Sequence, residues 1–394
     1  MLEQVAQQAP TIPSSSIATI GMTTVRLSYI DNIRIVLTAL VIAHHLSITY
    51  GGAGSWYYQA GQKDLITTIV LTLFTATNQA FFMGFFFLIA AFFTPGTYDR
   101  KGGGGFLRDR FIRLGIPLLV YEIVINPLVI FFAGNVHEPY FIFWGNYLTH
   151  LQSIGDGPVW FLLALLIFTC FYALWRQFVP KPATSIAPRI APPTDRMLLI
   201  AIGGLAITSF VVRIWQPIDS NFFLLNFQPP FFAQYIVLFI VGVIAARKDW
   251  FSRIPAPQGM RWLRVALCAI PIFPVVAILG GAIDHAELFK GGLHWQSFFY
   301  ATWEATVCVG MCMGLLVLFR DRLNRQSMLV KAMAGDAYTA YIIHPAIIVP
   351  LAVALQGVII YPLLKFVLLA PIAIVLTFGL SHLIRMIPGT QRIL

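Results

Sequence analysis

Charge is what this chain has least of. Of its 394 residues only 11% are Asp, Glu, Lys or Arg, while 58% are hydrophobic, against roughly a quarter charged in an ordinary soluble domain. No polar block is long enough to fold as a separate soluble domain, so one membrane-embedded domain is expected. Cysteine is equally sparse. Cys170, Cys268, Cys308 and Cys312 all fall in apolar stretches, at spacings that suit neither a disulfide framework nor a structural zinc site, and no metal is expected. The first 25 residues lack a basic segment ahead of a clean apolar run, which argues against a cleaved leader and for a flexible tail. Also missing are paired, interrupted apolar segments in corresponding positions, the mark of many secondary transporters.

What the chain has in quantity is apolar length. Stretches near 33–52, 66–94, 114–133, 158–178, 197–215, 230–246, 264–282, 297–319, 337–355 and 362–384 are each about long enough to cross a hydrocarbon core of roughly 30 Å. The expected fold is therefore all-α, a polytopic bundle of about ten transmembrane helices. Residues 28–385 would form this domain, between a tail of 1–27 and a short tail of 386–394. Arg and Lys crowd the alternate loops near 95–113, 179–196, 247–263 and 320–336, while the other side has little more than Lys63 and Lys290. By the positive-inside rule those loops and both termini are cytoplasmic, in a multi-pass protein of the plasma membrane, or the inner membrane of a Gram-negative cell. Membrane lipids are its solvent. The net charge of +10 is thus a topological signal, and nucleic acid is not an expected partner. Five prolines in 180–194 read as an irregular linker.

Against this background the ionisable residues inside spans need explaining. Arg34 and His45 are eleven positions apart, so on a helix they share one face to within roughly 20° and lie about 16 Å apart along the axis. A cation near one surface and an imidazole at mid-membrane depth suggest a ligand held at the surface that reaches a proton acceptor inside. His44 adjoins His45, and Asp31, one turn before Arg34, is placed to orient or neutralise it. The second concentration is Gly102–Gly105 with Arg108, Arg110 and Arg113. It reads as an anion cradle for a phosphorylated ligand, since glycine lets backbone approach phosphate and arginine donates in a plane. It is no P-loop, lacking the Gly-Lys-Ser/Thr that would follow.

Four further positions are candidates. Glu122 in the third span has a partner to find on another helix. Glu304, beside Trp303, is placed to orient His45 or an acceptor hydroxyl. Trp160 is either a sugar-stacking ring or an interfacial anchor. His344 precedes Pro345 near mid-membrane, where the proline frees a backbone carbonyl, and is either a substrate contact or a packed histidine at a kink. His137, Glu138, Asp284, His285 and Glu287 lie on outer loops and read as solvated.

Taken in order, these motifs resemble the membrane acyltransferase 3 family over nearly the whole chain. Arg34, ten residues and His45 are similar to its Arg-x10-His signature. Phe85 to Phe93 sits where the family has an aromatic run, with Ala91 in place of the usual glycine. Arg110-x-x-Arg113 is similar to its Arg-x-x-Arg, and Val159 to Leu162 and Tyr341 to Pro345 are similar to later landmarks. The resemblance implies transfer of an acetyl, succinyl or similar acyl group from cytoplasmic acyl-CoA to a hydroxyl, commonly on an extracytoplasmic carbohydrate. It implies that Arg34 and His45 match the catalytic pair, and Arg110 and Arg113 the donor-binding arginines, with Arg108 beside them. The esterase-like domain of some members is missing, so acylation is completed by this domain or by a separate cell-envelope partner protein. His45 either takes a proton from the hydroxyl or carries the acyl group transiently. The rival from another class is a proton-coupled transporter or flippase of a glycan or lipid-linked substrate.

Overall fold

The computed structural model describes residues 27–61, 64–134, 136–149, 157–179, 190–221 and 225–394. The tail up to residue 26 and most of the proline-rich linker lie outside them. The described residues are helical, with no β-sheet among them. The long helices are α1 (Ser28–Thr49), α2 (Leu65–Phe132), α3 (Trp160–Phe178), α4 (Asp195–Trp215), α5 (Pro229–Lys248), α6 (Ala256–Leu279), α7 (Trp295–Arg322), α8 (Met328–Ile343), α9 (Pro345–Ala354) and α10 (Pro362–Met386).

The α2 stretch is 68 residues, or about 100 Å of helix, some three times a hydrocarbon core. It does not run straight. Gly102 breaks it with φ 69° and ψ 170°, a conformation that suits a residue without Cβ. Around the break the Tyr98 and Phe106 rings approach to 5.5 Å, where eight residues of unbroken helix would hold them about 12 Å apart. A Lys101–Asp109 ion pair clasps the two arms. Tyr57, just before the first arm, bonds to Tyr121 and Asn126 near the far end of the second, so the second arm returns to the side from which the first set out. Among the described residues eight helices are long and apolar enough to span a membrane, and α8 with α9 adds a bent crossing. With α2 crossing twice, the expected ten crossings are present. The basic stretch near 95–113, expected to be a loop with a glycine cradle, is helical on both sides of Gly102. The glycines therefore supply a reversal and no open anion-binding loop.

Burial ranks the spans. In α7 and α1 the apolar windows are 72% and 67% buried, while α6 and α10 reach only 22% and 28%. The bundle is thus built around α1 and α7, with α6 and α10 at its rim. Several small contacts fix the ends. Asn32 donates to the carbonyls of Leu323 and Arg325, tying the start of α1 to the connection between α7 and α8. Asp64 caps α2 by accepting from the Thr67 amide at 2.9 Å and takes the Tyr361 hydroxyl at 2.8 Å. These bonds, that of Thr67 first, hold its carboxyl below the usual carboxylate range.

Ala91 raises the question of whether α2 can still be approached closely where the family has glycine. It can, because the glycine comes from the opposite helix. A Cβ on Gly242 of α5 would stand 2.4 Å from the Leu88 carbonyl oxygen and 2.7 Å from the Ala91 methyl. Backbone meets backbone there, as at small-residue crossings generally. Gly242→Val is expected to leave little monodisperse protein on size exclusion in detergent, whereas Ala91→Gly is expected to elute as wild type.

Candidate active site

Two helices carry most of the site. α1 and α8 lie side by side and run the same way: the Thr38 hydroxyl donates to the Ala337 carbonyl at 3.4 Å, and His45 faces His344 one end further on. Toward the other end the Tyr338 hydroxyl donates to the Arg113 carbonyl, which brings the second arm of α2, with Arg110 and Arg113, against the seam, and Arg34 lies one turn before Thr38 on α1. Sequence spacing had put arginine and histidine on one face of α1, and the structure keeps them on one seam.

At the arginine end Asp31 stands 3.6 Å from Arg34, in the orienting position expected of it. Arg110 lies over the Phe106 ring at 5.0 Å, and its buried Nε has no partner. A donor held in this way is available to a ligand. Arg113 and Arg108 are exposed beside it. Two π-helical turns follow, Phe111–Gly115 and Tyr121–Ile125. Each adds a residue to a turn and re-aims the side chains around it, a distortion frequent at functional sites.

The histidine end is closed by aromatic rings. His45 stacks on Trp56 at 3.8 Å between centroids and 19° between planes. His344 lies 5.1 Å from His45 and 18° off parallel, and also 5.9 Å from Trp56 and 7° off parallel, so the three rings form a cluster. His44 meets His45 edge-on at 5.3 Å and packs on Phe82. His45 is four residues from the end of α1, about 6 Å, and Trp56 from the following connection covers it. Its level is therefore nearer one membrane face than the centre expected from sequence, because α1 begins earlier and ends sooner than hydropathy suggested. Nδ1 of His44, Nδ1 of His45, Nε2 of His344 and Nε1 of Trp56 are all buried without a hydrogen-bond partner. Unpaired buried polar atoms are costly, and four in one place mark a cluster made for something other than packing. Among the described residues no three His, Cys, Asp or Glu side chains converge as metal ligands.

A polar network supports this end. Tyr57 donates to Asn126 Oδ1 at 2.5 Å, and Asn126 in turn donates to the Tyr147 hydroxyl at 2.8 Å. Gly157, at φ 56°, lies where a Cβ would be 2.2 Å from the Tyr57 hydroxyl and 2.7 Å from that of Tyr121. Glu122 is buried on the same π-helical turn as Tyr121. Trp160 turns inward, stacked on Tyr235 at 5.4 Å with Phe87 and Phe232 around it. It is part of an aromatic wall and not an anchor at the surface.

Glu304 is not where the sequence reading put it. Its carboxylate is 2.6 Å from the Arg213 guanidinium, and neither it nor Arg213 touches the histidines. The guanidinium lies between the Phe231 and Tyr300 rings, 5.3 Å from each. The pairing is dictated by Arg213, which is wholly buried and must have a carboxylate.

Residues 27–386 match the acyltransferase domain family. The chain belongs to the acyltransferase 3 family. It is a membrane acyltransferase. Among its relatives, glucans biosynthesis protein C of Salmonella schwarzengrund (strain CVM19633) is 26% identical over 338 residues, 80% of each chain. That of Escherichia coli (strain K12) is 25% identical over 227 residues, 55% of this chain and 57% of its own. No solved structure matches.

For this acyltransferase, sequence reasoning missed three groups. Trp56 and Tyr57 sit in a connection, where no periodicity points to them. Arg213 offers the sequence only a charge near a span end. Asp99 was passed over, although it holds Arg176 at 3.1 Å and Arg247 at 2.5 Å and so joins the first arm of α2 to α3 and α5. The signal for Asp99 and for Arg213, Arg176 and Arg247 was charge within or at the end of an apolar span.

Proposed function

We propose that the protein transfers an acyl group, acetyl, succinyl or similar, from acyl-CoA to a hydroxyl of an extracytoplasmic or membrane-associated carbohydrate. The observation that carries this reading is the seam of α1 and α8, with three arginines at one end and, at the other, imidazoles that each keep a buried nitrogen without a partner. Phosphates of the donor dock on Arg110 and Arg113, with Arg108 at the rim and Arg34 at the start of the seam. The thin pantetheine arm then runs between the helices and brings its thioester to His45. Trp56, stacked on that imidazole, closes the far end. In this arrangement the arginine end and both termini face the cytoplasm, and the protein lies in the plasma membrane. The names of the relatives favour a glucan as acceptor, and a separate cell-envelope protein is a further candidate partner. A flippase would need no phosphate-sized arginine site opposite the histidines, which is why acyl transfer is preferred.

Mass spectrometry of cell-surface and periplasmic glycans decides between them. Cells with the intact protein are expected to show one added acyl mass that is missing from cells without it. An unmodified glycan that merely changes compartment would sink the proposal. In membranes supplied with acetyl-CoA or succinyl-CoA, Arg110→Ala and Arg113→Ala are each expected to raise the donor KM about tenfold, the order of one charged hydrogen bond, with a much smaller change in kcat.

A further inference from the structure

Acyl transfer to a hydroxyl needs a group to take the hydroxyl proton, and the histidine end contains three imidazoles. Their hydrogen bonding separates them. His344 lies at the bend between α8 and α9, which turns the chain by 64°. The cause is Pro345. Having no amide hydrogen, it leaves the carbonyl of Tyr341, four residues earlier, without the donor that a continuous helix supplies. The His344 ring takes that place, with Nδ1 2.7 Å from the Tyr341 carbonyl oxygen. A carbonyl only accepts, so Nδ1 carries the hydrogen and Nε2 is a bare lone pair. That Nε2 is buried with no partner, in a residue with 0% exposure. Nothing comparable holds His44 or His45, whose Nδ1 atoms both lack a partner. Trp56 Nε1 is a donor only and accepts no proton. Tyr341 is itself fixed, its hydroxyl donating to the Pro158 carbonyl.

Resting on the acyl-transfer reading, we propose that His344 is the proton acceptor of the reaction, with the Tyr341 carbonyl and Pro345 as the positioning elements that fix its tautomer. The acceptor oxygen forms a bond to the acyl carbon while its proton passes to His344 Nε2. The carbon–sulfur bond breaks, and the CoA thiolate takes the proton from the imidazolium, which returns to neutral. His45, in contact with both His344 and Trp56, is left to hold the thioester. The dipeptide of histidine and proline acts as a unit: the proline vacates a carbonyl, and the histidine uses it to present one defined nitrogen. This parallels the orientation of a catalytic imidazole by a carboxylate, with a backbone carbonyl in that role.

The test uses the full chain in native membranes, with acetyl-CoA and succinyl-CoA as donor probes, an extract of the cell's own glycans as acceptor, and kcat followed against pH. His344→Gln keeps a polar group near the Nε2 position but cannot serve as a base. It is expected to lower kcat by 10²- to 10⁴-fold, to leave the donor KM within about threefold of wild type, and to lose the acidic limb of the pH profile. Pro345→Ala returns an amide to the Tyr341 carbonyl and releases the imidazole. It is expected to lower kcat about tenfold and displace that limb, again with an unchanged donor KM. If His344→Gln retains wild-type kcat, or loses rate but keeps the acidic limb, the assignment is overturned. Should that variant not reach the membrane, Pro345→Ala decides, and wild-type kcat and pH profile in it overturn the proposal. Failure of the wild-type chain to transfer either acyl group to any glycan would overturn the functional reading itself.

Discussion

His45→Ala is expected to yield a folded membrane protein whose acyl transfer is reduced by about 10²- to 10³-fold, the loss seen when a preorganised donor is removed from a reacting carbonyl. The imidazole makes no hydrogen bond that the fold depends on. Its neighbours are rings, Trp56 at 3.8 Å and His344 at 5.1 Å, so truncation leaves a gap among aromatic side chains near the end of α1. Such a gap costs some packing and leaves the helix intact, because the backbone of α1 is held elsewhere, by Asn32 and Thr38. The measurement is acylated glycan per unit of membrane-extracted, monodisperse protein. Wild-type yield of acylated glycan from His45→Ala would remove that residue from the site. Loss of the protein from the membrane would assign it to the core.

The second large effect is on stability and lies away from the histidines. Arg213 is wholly buried and Glu304 is 2% exposed, and removing one member of such a pair leaves the other charged and unpaired. That costs about 3–5 kcal/mol, whereas replacing both by apolar groups of similar size is often neutral or stabilising. Arg213→Met and Glu304→Gln are each expected to lower the unfolding temperature in detergent by many degrees, and Arg213→Met with Glu304→Leu is expected to recover most of the loss. If Glu304→Gln is instead as stable as wild type and inactive, the residue belongs to the chemistry, as the sequence alone had suggested. The pair joins α4 to α7, the most buried span, so its loss is expected to be felt through the whole bundle.

These two sites mark the limits of what the residues disclose by themselves. The spans were legible because a bilayer demands apolar length and basic flanks, and all ten expected stretches correspond to helices. The alignment of Arg34 with His45 was legible because helical rotation is fixed. The carbonyl freed by Pro345 could be predicted, though not what takes it. Partners across helices were not legible. A buried carboxylate such as Glu304 requires a cation but does not say which helix brings it, and Arg213 is 91 positions away. Trp56 belongs to a connection whose path is set by packing and carries no period. The glycines at 102–105 suggested a phosphate cradle because composition reports backbone freedom and not its use, which here is the reversal at Gly102.

Unequal burial of the spans has a consequence for how this protein meets different lipids and how its sequence can drift. α1 and α7 are enclosed by other helices, so a change in bilayer thickness or headgroup reaches them only after α6 and α10 have tilted or shifted to absorb it. On those rim helices one apolar residue serves nearly as well as another, and substitutions there are filtered by solubility in hydrocarbon alone. Divergence is free to accumulate at the circumference while the axis keeps its side chains, so a chain of this architecture can change much of its sequence, and inhabit quite different membranes, with the same central seam.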